Sequence, residues 1–172
     1  MSTTTRNQKA LDGVGRYPTE ITADPHVPGV RIERVFDATP AQLVRAHTDP
    51  DLVVRWLGPR DLTMEIDTWD ARTGGEYRYL HRRGDEEYGF HGCFHEVGPN
   101  RIVQTFTFEG YPEGVSLEWL NLTDLGDGRT KLEVLSIVES FEARDMMLAS
   151  GMETGVVQGY EQIEELILAG DL

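Results

Sequence analysis

The chain has 172 residues, 39% hydrophobic and 27% charged, which suits one domain with a real core and is too apolar for a disordered chain. A formal net charge of −14, from 30 acids against 16 Lys and Arg, argues against nucleic acid and against an anionic membrane as partners, because both need a basic patch. A single cysteine, Cys93, excludes an intrachain disulfide, and no run approaches the ~20 apolar residues of a membrane span, so a cytoplasmic protein without a signal peptide is expected.

Residues 1–24 are expected to form a loosely ordered N-terminal arm, with one domain over residues 25–170. The first 16 residues are polar and aperiodic. "YPTEITADPHVPG" follows with Pro18, Pro25 and Pro28, which favour extended or looped chain. "VRIERVFDA" (30–38) alternates and predicts the first strand, with Val30, Ile32 and Arg34 on one face. Thr39, Pro40 and Gln42 then spell a capping box with proline at the first helical position. Asp49-Pro50 starts a second short helix, Leu52, Val53 and Trp56 fall at helical spacing, and Gly58-Pro59 stops it.

From residue 62 the period becomes two. "LTMEIDTW", "GGEYRYLH", "YGFHGCFHEV", "RIVQTFTF", "VSLEWLNLTDL" and "RTKLEVLSIV" are six strands separated by turn-forming segments, an antiparallel meander. Ser140 can cap a final helix of about 28 residues over 142–169, with Glu142 in its first turn. Gly151, Gly155 and Gly159 lie four apart within it. Each interior glycine costs about 0.8–1 kcal/mol relative to alanine, so close approach of another element or room for a ligand is expected at this ridge. One long helix must cover the apolar face of the sheet, and the simplest arrangement wraps the sheet around it.

The polar residues offer few sites. His91, Cys93 and His95 share one face of a strand, but three such positions span ~13 Å, too far for one zinc ion. Two of them with His81 remain an alternative. His81, His91, Glu65 and Asp67 are acid–base candidates by residue type only. No nucleophile elbow or zinc-helix motif occurs, so no catalytic residue, metal or cofactor is expected.

Four stretches carry a resemblance. "RVFDATPAQLVRAHTDPDLVVRWLGP", "DARTGGEYR" (70–78), "GCFHEVGPNRIVQTF" and "GMETGVVQGYEQIEEL" (151–166), in this order, resemble the activator of heat-shock-protein-90 ATPase homologue-like family of the START-like (SRPBCC) superfamily. The resemblance covers roughly residues 25–168. It implies an α+β helix-grip fold: a curved antiparallel sheet wrapped around a long C-terminal helix, with two short helices after the first strand. It also implies binding of a small, largely apolar ligand between sheet and helix. A cyclase- or hydrolase-like enzyme using the same cavity, and a chaperone- or protein-interaction module, are the alternatives. The partners expected are therefore a small apolar molecule or a protein, for a monomer or homodimer. Such a cavity would draw its lining from Trp56, Tyr77, Tyr79, His81, Phe106 and Phe108, from Trp119, and from Met152, Val156 and Tyr160 of the last helix. Trp56 reads first as a structural plug, with a place on the pocket rim as its second role.

Overall fold

The computed structural model describes residues 15–172. Its strands are β1 (Glu20–Ala23), β2 (Gly29–Phe36), β3 (Thr63–Trp69), β4 (Glu76–Arg83), β5 (Glu86–Val97), β6 (Arg101–Phe108), β7 (Val115–Gly126) and β8 (Arg129–Ile137). Its helices are α1 (Pro40–Thr48), α2 (Pro50–Val53), α3 (Phe141–Ala149) and α4 (Met152–Ala169).

All eight strands form one antiparallel sheet in the order β1-β2-β8-β7-β6-β5-β4-β3. The six-strand meander expected from the turn signals is β3 to β8, and β2 returns to pair with β8. Of the residues read as an arm, 1–14 lie outside the described residues. Glu20–Ala23 forms the edge strand β1, held to β2 in the register Ile21↔Ile32. Bulges at Ile66/Thr68, Phe94/Glu96 and Asp124/Gly126 bend and twist the strands locally.

The start signals act as their chemistry requires. The Thr39 side chain accepts from the Gln42 N–H, and the Gln42 side chain accepts from the Thr39 N–H at 2.8 Å, closing the capping box. Asp49 caps α2 by accepting from the Asp51 N–H. That helix is a single turn and ends at Val53. Irregular turns continue to Gly58, which has φ 105°. Leu52, Val53 and Trp56 are buried, as their spacing indicates.

The last helix is not continuous. Residues 142–169 were expected as one helix of about 28 residues, but Gly151 stands in the left-handed region at φ 85° and separates α3 from α4. A residue other than glycine is disfavoured there. The two helices also differ in packing. Among its nine residues α3 buries none, whereas α4 buries Gly159, Tyr160, Ile163, Glu164 and Leu166, from its middle onward. The core therefore sits under one end of α4, together with Phe36, Leu43, Val53 and Leu132.

A buried ion pair ties the same end. Arg34 faces inward from β2, and its Nη2 lies 2.7 Å from Glu164 Oε1, out of line for a hydrogen bond. Thr19 Oγ1 accepts from Arg34 Nη1 at 2.6 Å, and Glu164 Oε2 accepts from the Gly15 N–H at 2.6 Å. The segment before β1 is thus fastened to α4 through charged groups.

Candidate functional site

Register decides which side chains face the helix. Tyr77, Tyr79 and His81 of β4 stand opposite Gly92, Phe90 and Tyr88 of β5. Phe90 stands opposite Phe108 of β6, and Phe106 is opposite Ser116 of β7. Glu118 faces Gln104 on one side and Ser136 on the other. All of these share the inner face.

Their rings form a continuous wall. Tyr77 and Tyr79 stack at 6.2 Å between centroids, Tyr79 and Phe90 at 5.2 Å, and Phe90 and Phe106 at 5.4 Å. Phe108 extends it, 5.2 Å from Phe90. Gly92 makes space for the first member: a Cβ there would run into the Tyr77 hydroxyl, which donates to the Thr105 carbonyl at 2.6 Å.

The wall is sealed at one end and open at the other. Trp56 closes the sealed end. It donates from Nε1 to the Ala46 carbonyl at 2.8 Å and lies 4.7 Å from the His47 ring and 6.3 Å from Tyr160. His81 Nε2 donates to the Leu57 carbonyl at 3.0 Å and so fixes the chain just after Trp56. At the other end Phe90, Gln104, Phe106, Glu118 and Val134 are only half-buried, as are Met147, Leu148, Met152 and Val156 of the last two helices. Phe108 is 37% exposed. Solvent thus reaches this end of the layer between β5–β8 and the α3–α4 junction, called the cleft below. Two hollows lie away from it: a crevice of about 20 Å³ beside Arg16, Asp37 and Glu164, and a depression of about 150 Å³ on the outer face lined by Arg31, Asn121 and Glu133.

Nine of the ten residues expected to line a cavity thus lie inside the layer, although Tyr77, Tyr79, His81, Tyr160 and Trp56 are buried in its packed part. Trp119 does not belong with them. It stands opposite Val103 and Leu135 on the outer face, because side chains alternate along β7 and Glu118 and Leu120 take the inner positions. The same alternation removes the metal alternative. His91, Cys93 and His95 are exposed on the outer face, while His81 is on the inner one, so His81 cannot join them. His91 instead contacts Glu109 at 3.1 Å, and Arg78 grips that carboxylate with two hydrogen bonds of 2.8 and 2.9 Å, holding its pKa below the usual range. Glu65 and Asp67 pair with Arg82 and Arg78 and are likewise outside the cleft. Among the described residues no group of three or more His, Cys, Asp or Glu side chains is arranged to hold a metal ion.

The residues that sequence reasoning missed are Phe90 and the trio Glu118, Gln104 and Ser136. Glu118 Oε2 accepts from Gln104 Nε2 at 3.0 Å and Oε1 accepts from Ser136 Oγ at 3.3 Å. Burial pushes the Glu118 carboxyl up, against the pull of these two donors. Burial, then the charge of Glu118, raises the phenols of Tyr77, Tyr79 and Tyr160. Glu118 is therefore the acid whose charge reaches the buried Tyr77, Tyr79 and Tyr160. Its sequence signal was one acid in phase with Leu120 and Leu122.

Comparison with known proteins gives a consistent picture. The family model described as Activator of Hsp90 ATPase homolog 1-like protein matches residues 37–167. A crystal structure of a protein from Rhodobacter sphaeroides is 27% identical, with 87% of this chain and 98% of that chain covered and a TM-score of 0.77. A crystal structure from Chromobacterium violaceum is 25% identical over 82% of this chain and 97% of its own, with a TM-score of 0.70. A solution structure of an Arthrobacter aurescens protein shares the fold at 24% identity, covering 89% and 92% of the two chains with a TM-score of 0.78. No curated protein matches the sequence.

Proposed function

This chain belongs to the activator of Hsp90 ATPase homolog 1-like family, and on that premise we propose that it binds a small, largely apolar molecule in the cleft between the sheet and the α3–α4 junction. The observation that carries this reading is the contrast along one layer. At the Trp56 end the inner face is fully packed, whereas Phe90, Phe106, Met152 and Val156 at the other end are only half-buried. Apolar side chains facing each other across an incompletely filled gap gain contact and lose water when a ligand enters.

Native mass spectrometry of the protein purified from its own host tests this. The expected result is a retained small molecule that disappears when Val156→Trp fills the gap and persists in the outer-face variant Leu117→Ser. A chain that never carries or takes up a small molecule contradicts the reading.

A protein partner is the second reading, and it rests on a different surface. On the outer face Val115 is 48% exposed and Leu117 37%, next to the half-buried Trp119 and Ile137. An exposed apolar strip of this kind suits a protein contact. Co-purification of a protein that Leu117→Ser releases supports it.

A further inference from the structure

We propose that Glu118, positioned by Gln104 and Ser136, is the polar anchor of the cleft, and that the ligand it selects is an apolar molecule carrying a protonated amine. The inference rests on the cleft-binding reading above and adds the chemical class of the ligand.

Geometry carries it. Glu118 stands on the central strand β7 with its side chain on the inner face, the face that carries the aromatic wall, and is half-buried there. Each of its oxygens accepts one hydrogen bond from a neutral donor, at 3.0 and 3.3 Å. An ionised carboxylate offers about four acceptor positions, so about two remain. Among the described residues no Lys, Arg or His nitrogen lies within ion-pairing distance of it; Arg34 is engaged with Glu164, and Arg144 with Asp145 and the Asp24 carbonyl. A carboxylate withdrawn from water without a countercharge is costly, and a cation delivered by a ligand offsets that cost.

The surroundings favour the same class. The faces of aromatic side chains attract a cation, and Phe90 and Phe106 stack on the same inner face as Glu118. A net charge of −14 draws cations toward the protein and repels anions of similar shape. A neutral alcohol would satisfy a lone pair but would leave the charge uncompensated. A carboxylic acid ligand would set two like charges together.

Three probes with one skeleton separate these cases: 1-naphthylmethylamine, 1-naphthylmethanol and 1-naphthoic acid, each titrated calorimetrically into the full chain. The amine is expected to bind about tenfold or more tightly than the alcohol, with the acid weakest. In Glu118→Gln the amine is expected to fall to the affinity of the alcohol. In the wild-type protein the advantage of the amine is expected to shrink as the pH falls and Glu118 takes up its proton, while the alcohol is unaffected. Other titratable or charged groups on the inner face are Arg34 of β2, Tyr77, Tyr79 and His81 of β4, Tyr88 of β5, and Tyr160 and Glu164 of α4. Persistence of the pH effect in Glu118→Gln would therefore assign it to one of them and overturn the proposal. Whether or not that variant folds, a flat amine preference across the wild-type pH series overturns the proposal. Equal binding of all three probes, or preference for the acid, also rejects it while leaving the cleft reading intact. Failure of all three to bind the wild-type protein rejects both.

Discussion

Trp56 and His47 show how single side chains hold the closed end. The indole fills the space between α1, α2 and α4 and spends its one donor on the Ala46 carbonyl, so it is buried with no polar cost. Trp56→Ala is expected to lower unfolding free energy by about 3–5 kcal/mol, read from urea denaturation. A loss below ~1 kcal/mol would mean that the plug is dispensable. His47 packs on the indole and lies with Nδ1 2.7 Å from the Leu43 carbonyl. Burial pushes its pKa down from 6.5 to about 4. Between those values the unfolded chain binds a proton that the folded protein does not, so stability rises with pH across this window and is lost as pH falls through it. His47→Phe removes that loss. The drop in stability from pH 7 to pH 4.5 should be smaller in the variant, by of order 1–3 kcal/mol. Glu118 works in the opposite sense. Its raised pKa makes the folded state the better proton acceptor, so its contribution to stability diminishes as pH rises through the window between the unfolded and folded values.

At the scale of elements, the three glycines spaced by four are not one device. Gly151 ends a helix with a positive φ. Gly159 lies where the chain of Trp56 crosses α4: a Cβ there would stand 3.0 Å from the Trp56 carbonyl oxygen. That carbonyl also accepts from Gln162 Nε2 at 3.1 Å and belongs to a buried residue, so it cannot retreat. At Gly155 a Cβ would meet only Pro59, whose Cδ stands at an ordinary 3.6 Å. Gly155→Ala should therefore stabilise by about 0.8–1 kcal/mol through helix propensity. Gly159→Ala should destabilise by about 1–3 kcal/mol through overpacking. Thermal unfolding of the two variants checks this, and equal shifts would contradict it. Spacing alone made the glycines one ridge, because a period of four is blind to backbone conformation. The caps were legible because Thr39 with Gln42, Asp49 and Ser140 act on N–H groups within a few residues. The break at Gly151 was not, since the apolar spacing runs on past it from Leu148 to Met152.

Across the whole molecule, the meander and its covering helix could be read from turn chemistry and period, as could the pairing of a sheet with one apolar face. Strand β1 is four residues long and has too few positions to show a period. The inner face of β7 was also hidden, because both of its faces carry large apolar residues: Leu117 and Trp119 on one, Leu120 and Leu122 on the other. Only pairing with β6 and β8 decides between them, and that choice moves Trp119 out of the cleft and Glu118 into it. The less buried end of the layer lies beside the helix break at Gly151, which the apolar spacing hides, and so it was legible only as an expected cavity. Methyl-resolved NMR of the protein titrated with 1-naphthylmethylamine shows whether a ligand occupies it. Shifts are expected at Val134, Leu148, Met152 and Val156, with Val115 and Leu117 unmoved. Shifts confined to Val115 and Leu117, or none at any of these methyl groups, would contradict it.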